Sequence, residues 1–162
     1  MNSTKNNPGF SINCKGELID LSQPKVMGIL NITPDSFYDG GRFKDSKTML
    51  NQVEKMLIEG AAFIDIGAYS SRPGANFVSE EEELQRITPM VHLVLKTFPN
   101  CRISIDSFRS KVIKECTDMG AAICNDISAG KLDSKMMETV GKLKIPYIML
   151  HMKGTPRSMQ EQ

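Results

Sequence analysis

Three side chains stand at or just after the ends of short apolar runs: Asp106 closes RISID, Asn125 closes AAICN and Asn31 follows VMGIL. A carboxylate beside an amide offers acceptors and donors in a set that suits a flat heterocycle with several N–H groups. Each charged hydrogen bond there contributes roughly 1.5 to 3 kcal/mol. A fourth group, Arg72, precedes Pro73-Gly74 and follows the hydroxyls of Ser70 and Ser71. Proline fixes one dihedral and glycine frees the next, so the guanidinium is presented from a shaped turn, where it suits a phosphate or carboxylate. Taken singly, each has a plainer reading. Ser107 reads as the N-cap of the next helix with Asp106 helping to cap it or binding loop amides, Asn31 and Asn125 as turn residues, Arg72 as a solvent-facing side chain, and His151 as a core histidine. Taken together, they describe a pocket with a carboxylate and an amide at its floor and an arginine with hydroxyls at its rim.

The elements that must position these groups alternate along the chain. After Pro24, apolar runs rich in branched residues (VMGIL, FIDIG, RISID, AAICN, PYIMLHM) are separated by segments of helical period: TMLNQVEKMLIEG, EEELQRITPMVHLVLKTF, RSKVIKECTDMG and SKMMETVGKL. Strands apolar throughout, with amphipathic helices between them, imply a parallel sheet covered on its faces. Ser79 with Glu82 forms a capping box, and Glu80 to Glu83 reads as a solvated helix start favoured by the helix dipole. Gly60, Gly120 and Gly141 mark helix ends. Polar residues at nearly every strand end, with Asp65 just before the final Ile-Gly of its run, favour a (β/α)8 barrel. Such a barrel gathers its site at the strand C-termini, whereas a flat doubly wound sheet gathers ligands only at a switch point. A barrel needs eight strands, and five are visible.

About fifteen residues separate VMGIL from its helix and about twelve, AYSSRPGANFVS, follow the second strand, against roughly two to six in ordinary connections. Loops of that length are expected to bind or cover a ligand. Ahead of the barrel, GFSIN and ELIDL around Cys14-Lys15-Gly16 read as a hairpin. The expected organisation is one α/β domain over 1–162, with a hairpin in 1–22 and barrel strands one to five in 25–162.

Composition narrows the partners. With 40% hydrophobic and 24% charged residues the 162-residue chain is of ordinary globular type, and a net charge of +1 gives no footprint for nucleic acid or an anionic membrane. No apolar run approaches a bilayer span and MNSTKNNPGF is no secretory signal, so a cytoplasmic protein is expected. Cys14, Cys101, Cys116 and Cys124 are irregularly spaced and read as reduced, buried residues. No glycine-rich nucleotide fingerprint, nucleophile elbow or zinc motif occurs.

Six stretches in order then carry a resemblance: VMGILNITPDSFYDGGRF (26–43), IDIGAYSSRPGA (64–75), EEELQRITP (81–89), ISIDSF (103–108), ICNDISAG (123–130) and MLHMKGTPRSMQ (149–160). Together they resemble the dihydropteroate synthase family. The resemblance implies a (β/α)8 TIM barrel of folate biosynthesis that joins a dihydropterin methyl diphosphate to 4-aminobenzoate and releases diphosphate. By that resemblance Asn31 helps hold a Mg2+ ion, Ser71 and Arg72 lie against the substrate, and Asp106 and Asn125 recognise the pterin ring. Asp35 and Phe37 belong to the first loop, which shields the reacting carbon and forms part of the aminobenzoate subsite. It also implies a homodimer for the full-length enzyme. A pterin-binding methyltransferase and a truncated, non-catalytic pterin-binding module are the alternatives. Two departures stand out. Ser71 keeps the hydroxyl of the family's usual Thr, whereas Tyr69 replaces its usual Glu. Strands six to eight of the family, which supply further acidic and basic groups, have no counterpart here, so the 162-residue chain alone is expected to lack synthase activity.

Overall fold

Lys15 and Gly16 adopt left-handed backbone, with φ of 57° and 89°. A two-residue hairpin turn whose twist matches its strands needs that pair of conformations. β1 (Ser11–Cys14) therefore folds back on β2 (Glu17–Asp20) with Cys14 opposite Glu17, so Cys14 belongs to the strand and not to the turn. The structure, a computed structural model, describes residues 10–32, 42–69 and 78–151.

Beyond the hairpin five strands, β3 (Val26–Asn31), β4 (Ala61–Gly67), β5 (Ile103–Asp106), β6 (Ile123–Asp126) and β7 (Tyr147–Met149), pair in parallel in their chain order. Between them run α1 (Arg42–Ile58), α2 (Glu80–Thr97), α3 (Ser110–Met119) and α4 (Met136–Leu143). A doubly wound sheet reverses its strand order at a switch point; a barrel adds each strand on the same side of the last. The order here never reverses, as the barrel expectation requires.

Alternate side chains on a strand point to opposite faces. One set, Leu30, Ile64, Ile66, Ile103, Ile105 and Cys124, is buried with Val53 of α1, Val91 and Val94 of α2, Ile113 of α3 and Met136 of α4. The opposite set begins lower in the sheet with Phe63 and Ile123, which pack with Cys14 and Ile19 of the hairpin. The helices thus cover one face of the sheet, and the hairpin closes the other face at the end away from the strand C-termini.

Local signals account for most boundaries. Ser79 caps α2, its hydroxyl accepting from the Glu82 amide at 3.1 Å, and Gly60 and Gly120 take left-handed backbone beyond α1 and α3. Three boundaries differ from expectation. α1 begins at Arg42, so the first connection spans 32–41 and is shorter than the sequence suggests, because the early turns of α1 carry too few apolar residues to show a helical period. Gly141 lies inside α4, and Lys144, with φ 54°, takes the left-handed position instead. Ser107 does not begin α3. Its hydroxyl accepts from the Arg109 amide, while Asp133 accepts from the Ser110 amide at 2.7 Å and satisfies the first turn. All four cysteines are free and buried. Among the described residues no helix is long and apolar enough to cross a membrane.

Candidate functional site

Pairing register turns the polar strand ends into a row. Asn31 pairs with Gly67, Gly67 with Asp106, Asp106 with Asn125, and Asn125 with Ile148, so one line of residues crosses all five strands. Two residues down each strand, on the same face, a second line runs Ile29, Asp65, Ser104, Ile123. Met27 and Phe63 form the layer beneath, against the hairpin. The face away from the helices is thus apolar at its base and carries its polar side chains, Asn31, Asp65, Ser104, Asp106 and Asn125, in the two layers at the strand C-termini.

Within these layers the Asn125 amide donates to Asp65 Oδ2 at 2.9 Å. Among the described residues Asp65 Oδ1, Ser104 Oγ and Asn125 Oδ1 are buried without a hydrogen-bond partner. Buried polar atoms are nearly always paired, so three orphans on one face mark a place for a ligand or ordered water. Asp106 receives no hydrogen bond among the described residues. Burial pushes its carboxyl up to about 7, and the charges of Asp65, Glu83 and Asp126 add to the rise. Burial also raises Asp65, opposed by the nearby Ser104 hydroxyl, which lies beside the carboxylate without full hydrogen-bond geometry, and by the Asn125 amide. A carboxyl held near neutrality and short of donors is poised to accept N–H groups. Gly67 leaves the room for it: a β-carbon there would lie 3.1 Å from Asp106 Oδ2.

Sequence reasoning noticed Asp65 but assigned it nothing, because it does not end its strand. The signal was parity: Asp65 stands two residues before Gly67 and so shares its face. Asn31 lies where expected, exposed at the end of β3. His151 is exposed just past β7 and is not a core histidine, since β7 is the outer strand and its last residues are uncovered. Asp126 faces the helices, where it accepts from the Ser128 amide and hydroxyl, the Gly130 amide and the Tyr147 hydroxyl, at 2.7 to 2.8 Å. It holds the loop after β6. Asp35, Phe37, Ser71 and Arg72 lie outside the described residues.

The acidic start of α2 is not the solvated run it resembles. Glu83 is fully buried and ion-pairs with the nearly buried Arg109, which follows Asp106 by three residues. Burial raises the Glu83 carboxyl, opposed by the Ser107 hydroxyl and by Arg109. Glu82 pairs with Arg86, and Glu80 with Lys111. The Arg109 guanidinium also faces the rings of Phe108 at 5.0 Å and Tyr69 at 5.4 Å, and these two rings meet edge to face.

For a magnesium ion, which takes oxygen ligands and keeps much of its water, the donor chemistry of Asn31 fits. Its amide oxygen stands at an exposed strand end with no hydrogen bond among the described residues. Among those residues no cluster of three His, Cys, Asp or Glu side chains offers a fuller cage.

Comparison with known proteins agrees with the fold. The family described as pterin binding enzyme matches residues 27–162. Dihydropteroate synthase of Haemophilus influenzae is 49% identical over 142 residues, covering 88% of this chain and 51% of that protein. A Yersinia pestis dihydropteroate synthase in complex with a sulfonamide drug superposes with a TM-score of 0.82 at 40% identity, over 94% of this chain and 55% of that one. Xanthomonas albilineans dihydropteroate synthase with 4-aminobenzoic acid superposes with a TM-score of 0.79 at 35% identity, over 89% and 52%. The chain therefore spans about half the length of these relatives.

Proposed function

The chain belongs to the family of pterin binding enzymes, and on that premise we propose that it serves dihydropteroate synthesis, the joining of a dihydropterin methyl diphosphate to 4-aminobenzoate. The observation that carries this reading is the inward row with its unpartnered acceptors: Asp106, Asn125 Oδ1 and Asp65 Oδ1 on one face. Asp65 takes the Asn125 amide hydrogen, which turns Asn125 Oδ1 away from Asp65. A ring edge carrying several N–H groups meets two acceptors side by side, one of them a carboxylate, and its binding ionises Asp106.

With the ring held on the floor, its methylene carbon stands toward the open strand ends. The bond from that carbon to the diphosphate oxygen breaks, and the electron pair leaves on diphosphate. The aniline nitrogen of 4-aminobenzoate attacks the same carbon, a C–N bond forms, and the nitrogen releases a proton. Departure ahead of attack leaves a ring-stabilised cation, which water must not reach. On the resemblance of their motifs, Ser71 and Arg72 would hold the anionic parts of the substrates, and Asp35 and Phe37 would shield the reacting carbon. Magnesium, when bound through Asn31, would neutralise charge developing on the departing diphosphate.

A coupled assay on the full-length enzyme tests this. 4-Aminobenzoate should disappear only in the presence of the pterin diphosphate, one diphosphate appearing per aminobenzoate consumed. No consumption, or transfer of a methyl group from a methylated folate instead, would overturn the reading.

A further inference from the structure

Asp65 and Asn125 meet across a strand that belongs to neither. They stand on β4 and β6 with β5 between them, two strand spacings or about 9 to 10 Å apart along the sheet. The Asn125 amide nonetheless donates to Asp65 Oδ2 at 2.9 Å. Ser104, paired with Asp65 in β5, is small enough to leave room for that reach.

Asp65 does little for the fold that another residue could not do better. Its layer is otherwise Ile29, Ser104 and Ile123, it is buried, and its Oδ1 has no hydrogen-bond partner among the described residues. A buried carboxylate without a cationic partner costs stability, and an apolar side chain would fill the layer at lower cost. What the carboxylate supplies is direction. An asparagine amide can turn over with little change of shape, but only its N–H side can face a carboxylate. With an N–H taken by Asp65, the amide oxygen of Asn125 is turned elsewhere, and it too is buried without a partner.

We propose that Asp65 is a positioning residue that locks the Asn125 amide with its oxygen toward the ligand, so that the floor selects a ring bearing an exocyclic amine and rejects one bearing a carbonyl oxygen at that place. The identity of the ring as a pterin rests on the synthase reading. A carbonyl there would meet Asn125 Oδ1 acceptor to acceptor, and the carboxylate forbids the amide to turn and offer its N–H instead. Specificity thus comes from a repulsive element as much as from an attractive one.

The test titrates the full-length enzyme and its Asp65→Asn variant calorimetrically with 6-hydroxymethyl-dihydropterin and with the 2-oxo analogue, in which a carbonyl replaces the ring amine. The substituted amide can accept from Asn125 or donate to it, so both orientations of Asn125 become available. The oxo compound should bind at least about tenfold more tightly to the variant than to the unmodified enzyme, the scale of one charged hydrogen bond. Pterin affinity should fall by no more than about threefold, since the correct orientation stays populated. General damage to the fold cannot produce a gain. In the unliganded, unmodified enzyme one Nδ2 proton of Asn125 should also resonate downfield of exposed amides and exchange slowly. An oxo compound that gains nothing, or two fast-exchanging Nδ2 protons whether or not the variant folds, would overturn the proposal. Should the unmodified enzyme bind the pterin without consuming 4-aminobenzoate, the synthase reading falls and the two affinities still decide the role of Asp65; binding of neither ring would overturn both.

Discussion

Asp106 and Gly67 share one space: the carboxylate oxygen Oδ2 of Asp106 lies 3.1 Å from where a β-carbon on Gly67 would stand, and its own β-carbon 3.3 Å from that point. The two residues are paired across β4 and β5, so neither backbone can retreat without breaking the register. Only the carboxylate can move. Gly67→Ala should therefore leave the fold standing, at a cost of about 1 to 3 kcal/mol for the methyl crowded into this buried position. It should weaken pterin binding by about tenfold through a displaced Asp106, the loss of one charged hydrogen bond. Calorimetric titration with 6-hydroxymethyl-dihydropterin decides it, and an affinity equal to that of the unmodified protein would show that Asp106 does not touch the ring.

The pH dependence of that binding follows from the carboxyl being pushed up to about 7 by burial and by the neighbouring charges of Asp65, Glu83 and Asp126. The ring's N–H groups need the ionised form as acceptor. Above about pH 8 the carboxyl is ionised before the ligand arrives, and affinity should be flat. Below about pH 7 a proton must leave first, so affinity should fall by up to about tenfold per pH unit. A titration series from pH 5 to 8 should show this bend, and Asp106→Asn should abolish it along with most of the affinity.

Stability should move the other way. The folded-state value of Asp106 lies above that of an exposed aspartate, so between about pH 4 and 7 the folded protein binds more protons than the unfolded chain. The contribution is most favourable below the unfolded value and is lost as pH rises through about 7. Asp106→Asn removes the buried charge. The variant should melt above the unmodified protein at pH 8, and the difference should shrink toward pH 5. A variant that melts lower at pH 8 would mean that Asp106 is stabilised by contacts that burial does not outweigh.

How far these features were legible in the sequence depends on their range. The order of strands and helices was plain, because a parallel sheet buried on both faces writes continuous apolar runs between amphipathic segments. Asn31, Asp106 and Asn125 were legible as strand ends, and the structure places all three in one row. Asp65 was not, since assigning it required knowing which residues of neighbouring strands stand side by side, and nothing local records that. Glu83 looked like one of four solvated acids because its partner, Arg109, comes from the residue just ahead of the next helix. Tyr69 stood out only as a departure from a motif, and its ring contacts with Arg109 and Phe108 are tertiary. The left-handed end of α4 fell to Lys144 although Gly141 was the better local candidate, because the apolar face of the helix continues through Leu143 into the core.

Asp126 is set apart from the candidate ligand-binding carboxylates, Asp65 and Asp106. It stands next to Asn125 in sequence but points to the opposite face, fully buried, with four donors on its two oxygens. The Tyr147 hydroxyl is one of them, and burial together with the Asp126 charge raises that phenol above its ordinary value. Removing the carboxylate leaves the Ser128 and Gly130 amides and two hydroxyls without their acceptor. Asp126→Ala should therefore cost roughly 3 to 5 kcal/mol and Tyr147→Phe roughly 1.5 to 3, as for hydrogen bonds to a buried charge. With alanine already at 126, the tyrosine change should cost little more, and that non-additivity is the signature of a shared interaction. Urea unfolding of the two single variants and the double variant measures all three terms. Pterin affinity of the Tyr147→Phe protein should equal that of the unmodified one. Additive losses, or a pterin affinity that falls with Tyr147→Phe, would place Asp126 in the binding site after all.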